Sequence, residues 1–208
     1  AVEKGKSAFG GTEIQGKTLG VVGLGAIGGM VANTAKSLGM KVLGHDPFIT
    51  ISAAWHLSRS ISQAESYDEI YENADYISLH IPATSDTKGS INENTIAKMK
   101  DGVRILNFAR GELVNSKDLL VALESGKVAC YVTDFPTDDV IGVENVVALP
   151  HLGASTPESE ENCAYKAAVQ MKEFLEKGNI KNSVNFPNVI LDDEGERISV
   201  IHKADLNT

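Results

Sequence analysis

The sequence predicts an α/β fold with a doubly wound, mostly parallel sheet of about seven strands. Short apolar runs rich in β-branched residues alternate with segments whose apolar residues recur at helical spacing. Such alternation is typical of parallel strands joined by crossover helices. Strands are expected at residues 18–22, 41–44, near 61, 76–80, 103–107, 128–133 and 145–149. Helices are expected at residues 26–40, 67–72, 93–99, 116–124 and from Ser155 to Lys177.

The two ends of the chain differ from its centre. Residues 1–17 are polar and contain glycine, which is typical of a linker, and residues 18–179 hold the expected sheet. Residues 180–208 form a C-terminal segment with one short apolar run at 197–202, which predicts a lone strand. Because a lone strand cannot pair its own backbone groups, we expect it to belong to a further domain.

Composition excludes several classes of function. A formal net charge of −9 without a Lys/Arg cluster disfavours nucleic acid as a partner. The sequence contains no apolar run long enough for a membrane span and does not begin like a signal peptide, so we expect a cytoplasmic protein without a membrane partner. Cys130 and Cys163 have neither metal-site spacing nor the density of a disulfide scaffold, so reduced thiols and no metal are expected.

A glycine motif between the first strand and the first helix predicts a dinucleotide-binding Rossmann fold. Gly23 would permit the tight turn, Gly25 would let the backbone approach a pyrophosphate, and Gly28 would let helix and strand pack closely. The helix N-terminus that follows, with Ala26 and Ile27, would face the phosphates.

Asp46, at the end of the second strand, selects between the two nicotinamide cofactors. Its carboxylate would accept hydrogen bonds from the adenosine ribose and repel the 2′-phosphate of NADP, which favours NAD. The alternative is that Asp46 only begins a turn before Pro47.

Chemistry is expected at the carboxyl edge of the sheet, where open α/β sheets bind ligands. Arg110 follows a strand there and can hold a carboxylate through two hydrogen bonds, although it would equally suit a surface position. His151 follows another strand and can exchange a proton near neutral pH. A neighbouring carboxylate would stabilise the protonated form of His151, and the candidates are Asp134, Asp138 and Asp139. The alternative is that these residues only form turns.

Four segments resemble the D-isomer-specific 2-hydroxyacid dehydrogenase family: GKTLGVVGLGAIG, the Asp46 site, NFARGELVNSKDLLVALESGK and PHLGASTPESEENCA. The resemblance runs from about Phe9 to Pro187. It implies hydride transfer between NAD and C2 of a small acidic substrate, a 2-hydroxy acid, with an Arg, a Glu and a His at the site. By motif match the arginine is Arg110 and the histidine, the acid/base, is His151.

The same resemblance assigns further site residues. The loop after Asp134 is one residue shorter than in the family and carries Asp138 where glutamate is expected, so Asp138 is the predicted partner of His151. Asp134 itself corresponds to the family's contact with the nicotinamide amide. The remaining cofactor contacts that the resemblance implies are His80, Ile81, Pro82, Asn107, Ala109, Arg110, His151 and Gly153.

The resemblance also implies domains beyond this sequence. The family has an N-terminal substrate domain, which we expect to lie before the linker at residues 1–17 and outside this sequence. The ending ERISVIHKADLNT resembles the start of the small regulatory ACT domain of some members. We therefore expect a cofactor-binding core that is nearly inactive alone and belongs to a homodimer or higher oligomer. Alternatives are a dehydrogenase for another D-2-hydroxy acid and a non-enzymatic, NAD-sensing interaction protein like the family's corepressors.

Overall fold

The computed structural model describes residues 10–191, 198 and 200. The chain divides into two compact units, Ala1–His151 and Leu152–Thr208. Among the described residues, all seven strands belong to the first unit, and the longest helix belongs to the second. The linker at 1–17 and the domain boundary at 179 stay predictions.

The first unit is built on a seven-stranded sheet whose strands are all parallel. Its order is β3-β2-β1-β4-β5-β6-β7, so the chain first winds outward from β1 and then returns to the other side of β1. This order confirms the predicted doubly wound class and places a crevice at the carboxyl ends of β1 and β4. The strands are β1 Thr18–Val22, β2 Lys41–His45, β3 Ser62–Gln63, β4 Tyr76–Leu79, β5 Val103–Asn107, β6 Val128–Thr133 and β7 Val146–Ala148.

Five helices and one 3₁₀ turn connect these strands. Their bounds are α1 Ala26–Ser37, α2 Ile51–Trp55, α3 Tyr67–Asn73, α4 Glu93–Lys98, α5 Ser116–Glu124 and the 3₁₀ turn Gly111–Leu113. Helix α1 ends at Ser37 rather than at residue 40, because Gly39 takes the left-handed backbone conformation with φ +84°. Helix α2 was not predicted, although Thr50 caps it by accepting a hydrogen bond from the Ala53 N–H at 3.1 Å.

Two apolar layers cover the two faces of the sheet. Side chains alternate along β1, so Leu19 and Val21 belong to one layer, whereas Val22 belongs to the other. Helix α1 contributes Ala32 and Ala35 to the first layer. The second and larger layer receives apolar residues of α3, α4 and α5.

The second unit contains the longest helix of the described chain, α6 Pro157–Lys177. Thr156 caps its start through a hydrogen bond from the Ser159 N–H, and Gly178 ends it with φ +70°. The expected strand at 197–202 lies outside the described residues, except for Ile198 and Val200, which have no regular secondary structure. Within the described residues, no helix combines the length and apolar character needed to cross a membrane.

Candidate active site

The turn after β1 requires two glycines for steric reasons. Gly23 has φ +92°, and a Cβ there would lie 2.7 Å from the carbonyl oxygen of His80. A Cβ on Gly28 would lie 2.0 Å from the carbonyl oxygen of Gly23. The predicted roles in the tight turn and in close helix–strand packing therefore agree with the geometry.

Gly25 differs from these two glycines, because no protein atom requires it. A Cβ on Gly25 would meet no heavy atom within 4 Å, and the residue is exposed. Gly25 is also the N-cap of α1, which has no side-chain cap for its first N–H groups. Bare N–H groups and the positive end of a helix favour an anion, so this open cradle suits a pyrophosphate.

Asp46 stabilises the same turn from the end of β2. One carboxylate oxygen accepts a hydrogen bond from the Leu24 N–H at 2.8 Å, and the other accepts one from the Phe48 N–H at 2.9 Å. Each carboxylate oxygen has a second lone pair, so acceptor capacity remains for a ribose hydroxyl. Asp46 therefore holds the glycine turn and remains suited to the predicted ribose contact.

A groove of about 600 Å³ runs along the carboxyl edge of the sheet from the glycine turn to Arg110. The predicted cofactor contacts that line it are Gly25, Ala26, Ile27, Gly28, His80, Ile81, Pro82, Ala109 and Arg110. Four further lining residues, which the sequence did not single out, are Ala83, Lys88, Phe108 and Glu112. The groove is large enough for a nucleotide-sized ligand.

His80 contributes a neutral, ordered wall to this groove. Its Nε2 lies 2.8 Å from the hydroxyl oxygen of Ser78, and burial lowers the pKa of His80 below its usual value. A neutral imidazole can pack against a ring of the bound cofactor without the cost of burying a charge. This environment suits the predicted cofactor contact better than proton transfer.

Asn107 builds the loop that carries Arg110. Its side chain is fully buried, and its Nδ2 donates to the Arg110 carbonyl at 2.8 Å and to the Tyr131 hydroxyl at 3.1 Å. Its Oδ1 accepts hydrogen bonds from the N–H groups of Ala109 and Arg110. The Asn107 side chain thus acts through the loop that it shapes, while the guanidinium of Arg110 remains exposed at the end of the groove.

His151 forms a pair with Asp134. The two residues follow the adjacent strands β7 and β6, and Nδ1 of His151 lies 2.8 Å from Oδ2 of Asp134. The structure thus differs from the predicted pairing with Asp138, whose carboxylate is exposed and, in the described chain, makes no hydrogen bond to His151. The reason is position: Asp134 directly follows its strand, whereas Asp138 lies four residues further along a loop.

The other oxygen of Asp134 has no partner. Oδ1 is buried and accepts no hydrogen bond from any of the described residues. A buried carboxylate oxygen without a donor is costly, so a ligand that supplies an N–H group would be favoured there. The predicted contact with a nicotinamide carboxamide fits this oxygen.

Gly153 belongs to the second unit, and its predicted contact with the cofactor stays a prediction.

The fold and the groove define a nicotinamide-binding domain, and comparison with known families agrees. A family model described as "D-isomer specific 2-hydroxyacid dehydrogenase, NAD binding domain" matches residues 2–153. The chain belongs to this family, and the expectation of NAD as its cofactor is confirmed.

Two curated relatives of the chain are D-3-phosphoglycerate dehydrogenases. The chain is 38% identical over 207 residues to D-3-phosphoglycerate dehydrogenase of Bacillus subtilis, covering 97% of the chain and 39% of the relative. It is 39% identical over 188 residues to the human D-3-phosphoglycerate dehydrogenase, covering 86% of the chain and 34% of the relative. The chain therefore spans well under half the length of these curated relatives.

Solved structures agree with the same family. An NAD⁺-bound 3-phosphoglycerate dehydrogenase of Entamoeba histolytica superposes with a TM-score of 0.72 at 34% identity, covering 85% of this chain and 57% of the other. A glyoxylate reductase of Paecilomyes thermophila gives a TM-score of 0.74 at 32% identity, covering 84% of this chain and 54% of the other.

Proposed function

We propose that this chain is the cofactor-binding part of an enzyme that oxidises D-3-phosphoglycerate to 3-phosphohydroxypyruvate, or catalyses the reverse reduction. The observation that carries the proposal is the contact between His151 and Asp134, beside the Phe135 ring over which the guanidinium of the groove residue Arg110 lies. The candidate proton-transfer group, His151, and the candidate carboxylate-binding group, Arg110, thus contact the same ring, that of Phe135.

His151 would be the acid/base through its outer nitrogen. An ionised carboxylate only accepts hydrogen bonds, so contact with Asp134 makes Nδ1 of His151 the protonated donor. Nε2 then carries the lone pair and takes the proton of the substrate hydroxyl during oxidation. In the reduction, Nε2 returns that proton. The neighbouring carboxylate of Asp134 stabilises the imidazolium, which forms by oxidation and is consumed by reduction.

Arg110 would hold the substrate. Its exposed guanidinium at the end of the groove can hold a carboxylate through two hydrogen bonds and stabilise negative charge developing on the C2 oxygen. Its loop is preorganised by the buried Asn107, which limits the reorganisation required when a substrate binds.

The cofactor would lie along the groove and supply the redox chemistry, since NAD⁺ accepts the hydride that leaves C2 as the hydroxyl becomes a carbonyl. The open cradle at Gly25 would hold its pyrophosphate, Asp46 its adenosine ribose, and the unpaired Oδ1 of Asp134 its carboxamide. A loose fit at the Gly25 cradle or at Asp46 would weaken binding of the cofactor without changing His151, whereas a change at Asp134 would also affect His151.

The choice of phosphoglycerate rests on the names of the curated relatives, which are D-3-phosphoglycerate dehydrogenases. A second candidate is oxidation of another D-2-hydroxy acid, because D-lactate and D-mandelate dehydrogenases share this fold. Both candidates use the same three residues of this chain, Arg110, Asp134 and His151. A homodimer or higher oligomer and a cytoplasmic location stay predictions.

Steady-state assays of the full-length protein separate these candidates. We expect NAD-dependent turnover on D-3-phosphoglycerate with kcat/KM at least about tenfold above that on D-lactate, D-glycerate and D-mandelate. A preference for one of the other acids would select the second candidate. Absence of turnover on every acid, with NAD still bound, would instead favour an NAD-sensing interaction protein.

A further inference from the structure

Phe135 contacts both residues to which the proposed function assigns chemistry. Its ring centroid lies 4.2 Å from that of the His151 imidazole, with 35° between the two planes. The Arg110 guanidinium carbon lies over the same ring, 5.2 Å from its centroid. The first distance is a close aromatic contact, and the second is within the range of cation–π contacts. One half-buried side chain thus joins the proposed proton-transfer group to the proposed carboxylate-binding group.

The backbone of Phe135 is itself held from two sides. Its N–H donates a hydrogen bond to Oγ1 of Thr133 at 3.1 Å, and Thr133 is fully buried at the end of β6. Its carbonyl oxygen packs against Gly111, where a Cβ would lie only 2.9 Å away. The backbone that carries the ring is therefore held both by the sheet and by the turn that follows Arg110.

The contacts that Arg110 and His151 make elsewhere leave a degree of freedom that this ring removes. The single hydrogen bond from Nδ1 to Asp134 fixes one atom of the imidazole, and by itself it does not fix the tilt of the ring plane, which the side-chain torsions can still change. The side chain of His151 is 56% exposed, so packing other than the contact with Phe135 restricts the plane little. Arg110 donates from Nη1 to the neighbouring Ala109 carbonyl at 2.6 Å, which leaves its other donors unrestricted.

We propose that Phe135 is a positioning residue that sets the plane of the His151 imidazole and the place of the Arg110 guanidinium for one substrate. The proposal rests on the proposed function, because it concerns the same reacting centre. A flat ring is required, since leucine is apolar and of similar bulk but offers no face for stacking. Proton transfer and carboxylate binding must coincide on one small molecule, so a small displacement of either group lowers the rate strongly.

The test compares Phe135→Leu with Phe135→Tyr in the full-length protein. Phe135→Leu is expected to lower kcat by at least about tenfold and to raise KM for the acid, while the Kd for NAD changes less than about twofold. Phe135→Tyr keeps the ring and is expected to stay within about threefold of wild type in both constants. In NMR spectra of the chain, the His151 imidazole protons should shift in Phe135→Leu and not in Phe135→Tyr, because the ring current is lost only in the first.

The outcomes separate the two proposals. Wild-type protein without turnover on any acid would remove the proposed function, whereas the NMR comparison would still test the contact between the Phe135 ring and His151. Wild-type turnover with unchanged kcat and KM in Phe135→Leu would overturn the role of Phe135. Equal losses in the leucine and tyrosine variants, together with weaker NAD binding or lower stability, would also overturn it, since they would show that Phe135 only fills space.

Discussion

Replacing Gly25 by alanine should weaken NAD binding with little effect on folding. An alanine Cβ there meets no protein atom within 4 Å, and the backbone angles, φ −65° and ψ −163°, are allowed for alanine. The expected cost in unfolding free energy is below about 1 kcal/mol, from the weaker N-cap. The methyl group would, however, stand between the helix N–H groups and the pyrophosphate.

The size of the NAD effect follows from the lost contacts. A hydrogen bond to a charged group contributes about 1.5–3 kcal/mol, so losing one raises Kd by roughly ten- to a hundredfold. Calorimetric titration of the chain with NAD measures this Kd, and urea unfolding measures stability. NAD binding by Gly25→Ala with wild-type Kd would refute the position of the pyrophosphate at this cradle.

Two neighbouring glycines provide matched controls for the same substitution. Gly29→Ala places its methyl 3.4 Å from Leu57, an ordinary contact outside the groove, so NAD affinity should be unchanged and the helix slightly more stable. Gly28→Ala places its methyl 2.0 Å from the Gly23 carbonyl oxygen, so it should lower the unfolding free energy by about 1–3 kcal/mol.

Two further predictions concern titratable groups. Asp134→Asn in the full-length protein should lower kcat by at least about tenfold, because the amide no longer stabilises the imidazolium of His151. The control, Asp138→Asn, should leave kcat nearly unchanged. A larger loss of kcat in Asp138→Asn than in Asp134→Asn, measured in steady-state assays, would restore Asp138 as the partner. Burial lowers the pKa of folded His80, so below about pH 6.5 the unfolded chain binds the extra proton more readily and the unfolding free energy falls with acidification. His80→Gln should remove that component, so its unfolding free energy, measured by urea titration from about pH 7.5 to 5.5, should decrease less than that of the wild type; parallel pH dependences would contradict the burial argument.

The sequence predicted the sheet well because its strands carry strong local signals. Strands β1, β5 and β6 lie at the expected residues, and β7 is shorter than expected by one residue at each end. The expected strand near Ile61 is only Ser62–Gln63, an edge strand too short to show a pattern. Helix α2 has five residues and escaped notice because helical periodicity needs a longer window.

The site was less predictable, because its contacts depend on loops rather than on strands. The glycine turn and Arg110 follow strands directly, so their placement at the carboxyl edge followed from the fold. Motif matching pointed to Asp138 as the partner of His151, although only the loop geometry decides which carboxylate reaches the imidazole. Phe135 had no chemical signal in the sequence, since its contribution is a ring face between two distant residues.

The proposed acid/base role of His151 is tested most directly by His151→Ala. In the full-length protein, kcat for D-3-phosphoglycerate should fall by at least about a hundredfold, the lower range for loss of a general acid/base. The Kd for NAD, measured by calorimetry on the same preparation, should change by less than about threefold, because the glycine cradle and Asp46 are untouched. A kcat close to that of the wild type would contradict the assignment.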